Sequence, residues 1–584
     1  MHEVCNFVIA KEILSNRFSL KSNTLFRMIY PKIELAQSII EICSAKGIHN
    51  IIISPGSRNA PLTIGFAQNS NFKCYSIADE RCAAFFALGI AQQTKKPAAV
   101  ICTSGSALLN YYPDVAEAFY SQIPLIIISA DRPQSKIDIG DGQTIRQENV
   151  FKNHSVFNAN LTEEASVEND LKINKAIETA ILQRGPVHIN APFEEPLYET
   201  VETLSVQPKI TSIEEEADVK TIENEGEFIS IWNSAKQKLV LVGVNDANTI
   251  DTEILKNLAA DPSIVVLTET TSNLHHPSFI NSIDTLITPF DDSDFQAFQP
   301  DILITFGGMI VSKRIKGFLR KYKPQNHWHI DTLRAYDTFS ALTKHFVMRP
   351  NEFFKSLLPK TEFTISDYSS RITEIYALRK VRKQEYLDKI AFSDFKVFEK
   401  VIESLPKNSQ LQISNSSAIR YAQLIDIDSS IEVFCNRGTS GIDGSTSTAI
   451  GAAVGNTKQN VFITGDISFL YDSNALWNSY IPNNFKIILI NNGGGGIFRI
   501  LPGHEEKPVF NTYFETSHHL TAEHLAAMYK CNYFKADDEA SLEQNLELLY
   551  SANNTPGILE IFTPTRENDI VLKQYFKELT YRVS

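Results

Sequence analysis

The chain has 584 residues, 43% hydrophobic and 21% charged, with a formal net charge of −13. This points to a soluble globular protein of about three or four domains, and the acidic balance argues against a nucleic-acid partner. Seven cysteines without a Cys-x-x-Cys pair give neither a disulfide framework nor a zinc signature, so a reducing cytoplasm is expected, and no apolar run is long enough to span a membrane.

Residues 1–30 contain Lys and Arg but lack an apolar core followed by a small-residue cleavage site, so no secretory signal is expected. Met28, with convincing patterning only from Pro31 onward, predicts that this extension is poorly ordered, residues 1–27 arising from an upstream start codon. A first domain is expected over 31–200. It opens with an amphipathic helix over 31–46, carrying Ala36, Ile39, Ile40 and Cys43 on one face. A strand at 51–53, the loop Ser54-Pro55-Gly56-Ser57-Arg58 and an apolar helix around 62–67 begin a βαβ pattern. Asp79-Glu80-Arg81 opens an Ala-rich helix through Ala91, 98–102 is a strand, and 103–107 turns into another helix. Strands at 125–129, followed by Ala130-Asp131-Arg132-Pro133, and at 185–190 complete the domain.

The acidic, aperiodic stretch 201–228 reads as a solvated linker. A central α/β domain over 229–360 follows, with strands at 239–242, 264–267, 302–305 and 328–330. It has no Gly-x-Gly-x-x-Gly, so a dinucleotide site is not expected there. A charged helical linker over 361–392 leads into a third domain over 393–584, with strands at 411–413, 433–434, 461–463, 487–490 and 558–561. The expected fold class is therefore α/β, three domains each built on a mainly parallel sheet flanked by helices.

The third domain carries the most chemically suggestive stretch. One apolar strand stops at Gly465-Asp466 and another at Asn491-Asn492, 26 residues from the aspartate to Asn492. The intervening 474–480 can be helical, and a parallel pair would bring Asp466 and Asn492 to one carboxyl edge. A carboxylate, an amide oxygen and a loop carbonyl are hard ligands suited to Mg²⁺. The competing reading is that Gly-Asp and Asn-Gly are ordinary turn residues.

Taken together, Ser54 to Arg58, Asp79-Glu80-Arg81, Ala130 to Pro133, Gln143 with Ile145-Arg146-Gln147, Asn436-Arg437-Gly438 through Ile442-Asp443-Gly444, and Gly465-Asp466 resemble the thiamine-diphosphate-dependent enzymes. Within them the resemblance is to the carboligases of menaquinone biosynthesis, and it covers the chain from about Pro31 onward. It implies decarboxylation of 2-oxoglutarate and 1,4-addition of the succinyl unit to isochorismate, with thiamine diphosphate and Mg²⁺ or Mn²⁺ as cofactors. A homo-oligomer, dimer or tetramer, is implied, with Glu80 of one subunit serving cofactor held by another.

By the same resemblance Glu80, Arg420 and Arg437 are catalytic. Glu80 also contacts the cofactor, together with Gly441, Ile442, Asp466, Ile467, Ser468, Asn492 and Gly494. The metal ligands are Asp466, Asn492 and the carbonyl of Gly494. Gly493 stands where some relatives have a third Asn, which leaves the carbonyl ligand open by one position. Substrate contacts are implied for Ser57, Arg58, Arg132, Gln143, Lys313, Arg314, Ser416, Arg420 and Arg437, with an apolar wall of Ile497, Phe498 and Leu501. Several cations suit two polyanionic substrates. The alternative is another carboligase or decarboxylase of the same cofactor class, with a smaller, less cationic donor pocket.

Overall fold

Apolar runs such as Ala98–Cys102, Leu125–Asp131 and Phe485–Asn491 are buried along their whole length in the computed structural model. Parallel strands covered by helices on both faces demand this. The structure describes residues 29–213, 221–500, 507–552 and 554–580. The expectation for residues 1–27 and the assignment of Leu501 fall outside them.

Three parallel sheets follow one another. The first orders its six strands Lys73–Ser76, Asn50–Ile53, Ala98–Cys102, Leu125–Asp131, Pro186–Pro192, Phe157–Asn160. The third orders Glu432–Phe434, Gln410–Ile413, Asn460–Gly465, Phe485–Asn491, Gly557–Phe562, Asn532–Ala536. Counted within each sheet, the two orders are identical, so the first and third units are topological copies. The middle sheet runs Ile264–Leu267, Lys238–Val242, Ile302–Phe306, Asn326–Ile330, Lys344–Phe346.

In open α/β sheets ligands bind where the strand order reverses, beyond the carboxyl ends. In the third sheet that crevice lies between Gln410–Ile413 and Asn460–Gly465, so Asn415, Ser416 and Asp466 flank it. In the middle sheet the chain fills its own crevice. A Cβ on Gly243 would sit 2.0 Å from the Gly308 carbonyl oxygen, which agrees with the missing dinucleotide motif.

The equivalent helices of the two copies, Glu80–Thr94 and Ser445–Gly455, cross face to face. A Cβ on Gly89 would meet the Thr448 carbonyl oxygen at 2.1 Å, and one on Gly451 the Phe86 carbonyl oxygen at 2.0 Å. The two backbones thus touch, and Phe85, Phe86, Ile90, Ala449 and Ile450 share one buried core.

Two expectations are corrected. Residues 474–480 are not a helix: the α-helix is Asp466–Tyr471, starting on the aspartate itself, and only a 3₁₀ turn, Ser473–Leu476, follows. The 201–228 stretch is not simply solvated. Val201 pairs with Tyr30, the amides of Ser205, Lys209 and Thr211 donate to Gln37, Asp170 and Asn174, and a helix begins at Glu225.

Candidate active site

Asp466 and Asn492 end adjacent parallel strands in register, Gly465 opposite Ile490. Asp466 is 4% exposed, and its Oδ2 accepts the Gly494 N–H at 2.9 Å. His518 Nε2 comes within 3.3 Å of the same oxygen, in ion-pair range, and the carboxylate raises the His518 pKa. Asn492 donates Nδ2–H to Oδ2 of buried Asp394 at 3.0 Å, while Asp394 Oδ1 accepts from Thr563 Oγ1 at 2.6 Å. Burial lifts the Asp394 pKa to about 6. The amide orientation leaves Asn492 Oδ1 free for another partner.

A loop from Asn436 to Gly444 runs beside this pair. Ser468 Oγ donates to the Ile442 carbonyl at 2.8 Å, and Asn415 Nδ2 donates to the carbonyls of Asn436 and Gly441 at 2.7 and 2.8 Å. Asn415 Oδ1 in turn accepts from Arg437 Nη1 at 2.7 Å. Ile442 and Ile467 are half-buried, as are Ile497 and Phe498, the last packed on Phe514 with ring centroids 5.9 Å apart.

Arg420 and Arg437 lie within each other's electrostatic reach, and burial, partly offset by Asp284, lowers the Arg420 pKa. Lys316 joins them: burial lowers its pKa, Glu269 opposes that, and Arg437 and Arg420 add to it. Glu269 is 2% exposed and accepts the N–H groups of Val311 and Ser312. Burial raises its pKa to about 7. The expected pair on this helix is placed differently. Lys313 and Arg314 are exposed at the start of Lys313–Lys321, and Arg314 stacks over the Phe576 ring at 5.0 Å. Ser416 caps the Arg420 helix with φ 68°.

The first unit contributes a separate set. Arg58 is 3% exposed and its guanidinium donates to the Phe193 carbonyl and to Glu195 at 2.9 and 3.1 Å. Arg132 pairs with Asp141 at 3.6 Å, and Ser57 and Gln143 are exposed. Glu80 accepts from Asn110 at 3.4 Å. Its neighbours Asp79 and Arg81 bond to Asn474 and to the Tyr471 carbonyl, at the far end of the helix that Asp466 begins. Among the described residues no hydrogen bond or ion pair joins Glu80, Arg58 or Arg132 to Asp466, Arg420 or Arg437.

Three family models cover the chain in order. A thiamine pyrophosphate enzyme N-terminal TPP binding domain matches 33–155, a middle domain of thiamine pyrophosphate matches 211–413, and a C-terminal TPP binding domain matches 416–561. A relative from Flavobacterium johnsoniae is 84% identical over 95% of this chain and 100% of its own. One from Flavobacterium psychrophilum is 67% identical over 95% and 100%, and one from Christiangramia forsetii 52% identical over 94% and 99%. All three are named 2-succinyl-5-enolpyruvyl-6-hydroxy-3-cyclohexene-1-carboxylate synthase. The chain belongs to this synthase family.

The residues present fit the cofactor of the synthase family. The Ser445–Gly455 helix has no side-chain cap, and the hydroxyls of Ser445 and Thr446 in its first turn are buried without a partner. The third N–H of that turn, on Ser447, is taken by Asp472 Oδ2 at 2.7 Å, so the two N–H groups before it and the unpaired O–H donors are what suit a diphosphate. No group of three or more His, Cys, Asp or Glu forms a metal cage among the described residues, so a cation here needs amide and carbonyl oxygens. Asn492 Oδ1 meets that need. The two carbonyl candidates each accept one hydrogen bond, Gly493 from His518 N–H and Gly494 from Gly496 N–H, both at 3.0 Å, so hydrogen bonding does not choose between them.

Asn415 and Lys316 were not among the residues expected. Asn415 lies two residues beyond the strand Gln410–Ile413, and its part rests on which loop carbonyls it meets. Lys316 lies three residues from Lys313, and only the packing of its helix shows which cation faces the arginines.

Proposed function

We propose that the chain decarboxylates 2-oxoglutarate and adds the remaining four-carbon unit in the 1,4 sense to isochorismate. The products are 2-succinyl-5-enolpyruvyl-6-hydroxy-3-cyclohexene-1-carboxylate and CO₂, in menaquinone biosynthesis. Thiamine diphosphate, when bound, supplies a nucleophilic C2 carbanion and a sink for the electrons released with CO₂. Asp466, Asn492 and the carbonyl of Gly494 would hold Mg²⁺ or Mn²⁺, whose charge would offset that of the diphosphate. Gly441, Ile442, Ile467, Ser468 and the first turn of the Ser445 helix line the cofactor.

The observation that carries the donor assignment is that Arg420, Arg437 and Lys316 lie within one another's electrostatic reach. Three cations at a domain junction match a donor with two carboxylates, whereas pyruvate has one. Arg420 and Arg437, with Ser416, bind and orient 2-oxoglutarate. Ser57, Arg58, Arg132, Gln143, Lys313 and Arg314 are assigned to isochorismate, and Ile497, Phe498 and Leu501 exclude water. Glu80, from a second copy of the chain, holds a proton on its carboxyl oxygen for the cofactor's pyrimidine. A cytoplasmic location is part of this reading, and among the described residues six cysteines are free. Among the described residues no helix is long and apolar enough to cross a membrane.

The test supplies isochorismate, 2-oxoglutarate, thiamine diphosphate and Mg²⁺ and follows CO₂ and the adduct, with pyruvate as rival donor. Release of CO₂ without adduct, or preference for pyruvate, would count against the assignment.

A further inference from the structure

The Asn436 to Gly444 loop carries Arg437 at one end and leads into the Ser445 helix at the other. Three of its anchors come from its own unit: Asn415 on the carbonyls of Asn436 and Gly441, Ser468 on that of Ile442, and Thr448 accepting from Asn436 Nδ2 at 3.0 Å. The fourth comes from the first unit, over 300 residues away in sequence. Glu117, in the helix Tyr112–Ser121, is 1% exposed. Its Oε1 accepts the Gly438 N–H at 2.7 Å, and its Oε2 accepts the Thr439 N–H at 2.6 Å and the Thr439 hydroxyl at 2.9 Å. Ser121 Oγ adds a further donor to Oε1 at 2.7 Å. Both oxygens act only as acceptors, the bonding of an ionised carboxylate.

One turn earlier on the same helix lies Asp114, fully buried, with neither oxygen hydrogen-bonded. Burial, reinforced by the neighbouring Glu117 and Asp443, pushes its pKa well above the usual carboxylate range. Burial without a donor thus disfavours the charged form of Asp114, while Glu117 has the four donors that a buried carboxylate requires.

We propose that Glu117 is a positioning residue of the donor site: from the first unit it fixes the backbone at Gly438 and Thr439, and so sets where Arg437 meets the 2-oxoglutarate carboxylate. The inference rests on the assignment of Arg437 to 2-oxoglutarate. Two neighbouring acids on one helix thus have different parts, and only Glu117 is hydrogen-bonded to the loop.

The test compares Glu117→Gln with Asp114→Asn in the full-length enzyme. Glutamine keeps one acceptor and sets an NH₂ against the loop's own N–H donors. Amide hydrogen exchange at Gly438 and Thr439, measured without substrates, should quicken roughly tenfold or more in Glu117→Gln, the scale of one lost charge-assisted bond. The KM for 2-oxoglutarate should rise by a similar factor while that for isochorismate moves far less. Asp114→Asn, a near-isostere at a side chain that makes no hydrogen bond to the loop, should change neither. Unchanged exchange, equal rises in both KM values, or the same effects from Asp114→Asn would overturn the proposal. Arg437→Lys separates the two layers: if it leaves the 2-oxoglutarate KM unchanged, the donor assignment fails, and not the role of Glu117 in holding the loop. If Glu117→Gln does not fold, Thr439→Val, which removes only the hydroxyl donor, should give a smaller shift with the same selectivity, and a shift without selectivity overturns the proposal.

Discussion

At Asn492 the side-chain nitrogen is committed to Asp394, and that commitment turns the oxygen outward. A ligand amide oriented in this way depends on its acceptor as much as on itself. Asp394→Asn should weaken Mg²⁺-dependent binding of thiamine diphosphate by roughly 10- to 100-fold, read by titration of intrinsic fluorescence with no substrate present. Undiminished binding would show that Asn492 needs no such support. Glu269 gives a second, independent prediction. Its pKa rises from 4.5 unfolded to about 7 folded, mainly through burial. Between those values the unfolded chain releases a proton that the folded chain keeps, so stability falls as pH rises through that window, by on the order of 3 kcal/mol. Glu269→Gln removes this term. The thermal midpoint of the natural protein, relative to the variant, should drop as pH is raised from about 5 to about 8. Asp466 and Asn492 were legible in the sequence because each stands where an apolar strand stops. Asn415, Lys316 and Glu117 were not, because their parts depend on which distant backbone or charge they meet, and the partners of Glu117 are more than 300 positions away.

At the scale of elements, four strands of the three parallel sheets escaped the sequence reading, besides the two-residue pair Tyr30–Pro31 and Thr200–Val201: Lys73–Ser76, Phe157–Asn160, Lys344–Phe346 and Asn532–Ala536. All four lie at a sheet edge. An edge strand has one neighbour and more solvent, so its residues need be neither continuously apolar nor strictly alternating, and the signal that marks a central strand fades. The helix crossing at Gly89 and Gly451 was equally hidden, since a helical glycine reads as a weak helix former until the facing backbone is known. Two substitutions on helices separate those meanings. Gly89→Ala must push against the Thr448 carbonyl, 2.1 Å from the new Cβ, and should cost about 1–3 kcal/mol. Gly317→Ala, on the Lys313–Lys321 helix with nothing within 4 Å of the new Cβ, should instead stabilise by about 0.5–1 kcal/mol. Thermal unfolding of both variants checks the opposite signs. Equal effects would mean that helix propensity rather than backbone contact governs Gly89.

For the whole molecule, the topological identity of the first and third units raises the question of which first unit serves which third unit. Within one chain the Glu80 and Ser445 helices pack together, yet Glu80 bonds to Asn110 of its own unit, and its neighbour Arg81 reaches the Tyr471 end of the helix that Asp466 begins. Near that end a cleft of about 410 Å³ is lined by Ser76, Trp477, Tyr480 and Met528, and Trp477 is 58% and Met528 69% exposed. Under the proposed reading, a site that needs both Glu80 and Asp466 would be completed by a second copy, whose own first unit would supply the glutamate. Mixing two inactive variants decides the point. Glu80→Gln and Asp466→Asn, unfolded together and refolded or coexpressed, would form mixed dimers in which one of the two sites carries both native residues. With random pairing about one quarter of the natural activity should return. If each chain built its site from its own two units, every site in the mixture would keep one defect and no activity would return, whatever the proportion of mixed dimers.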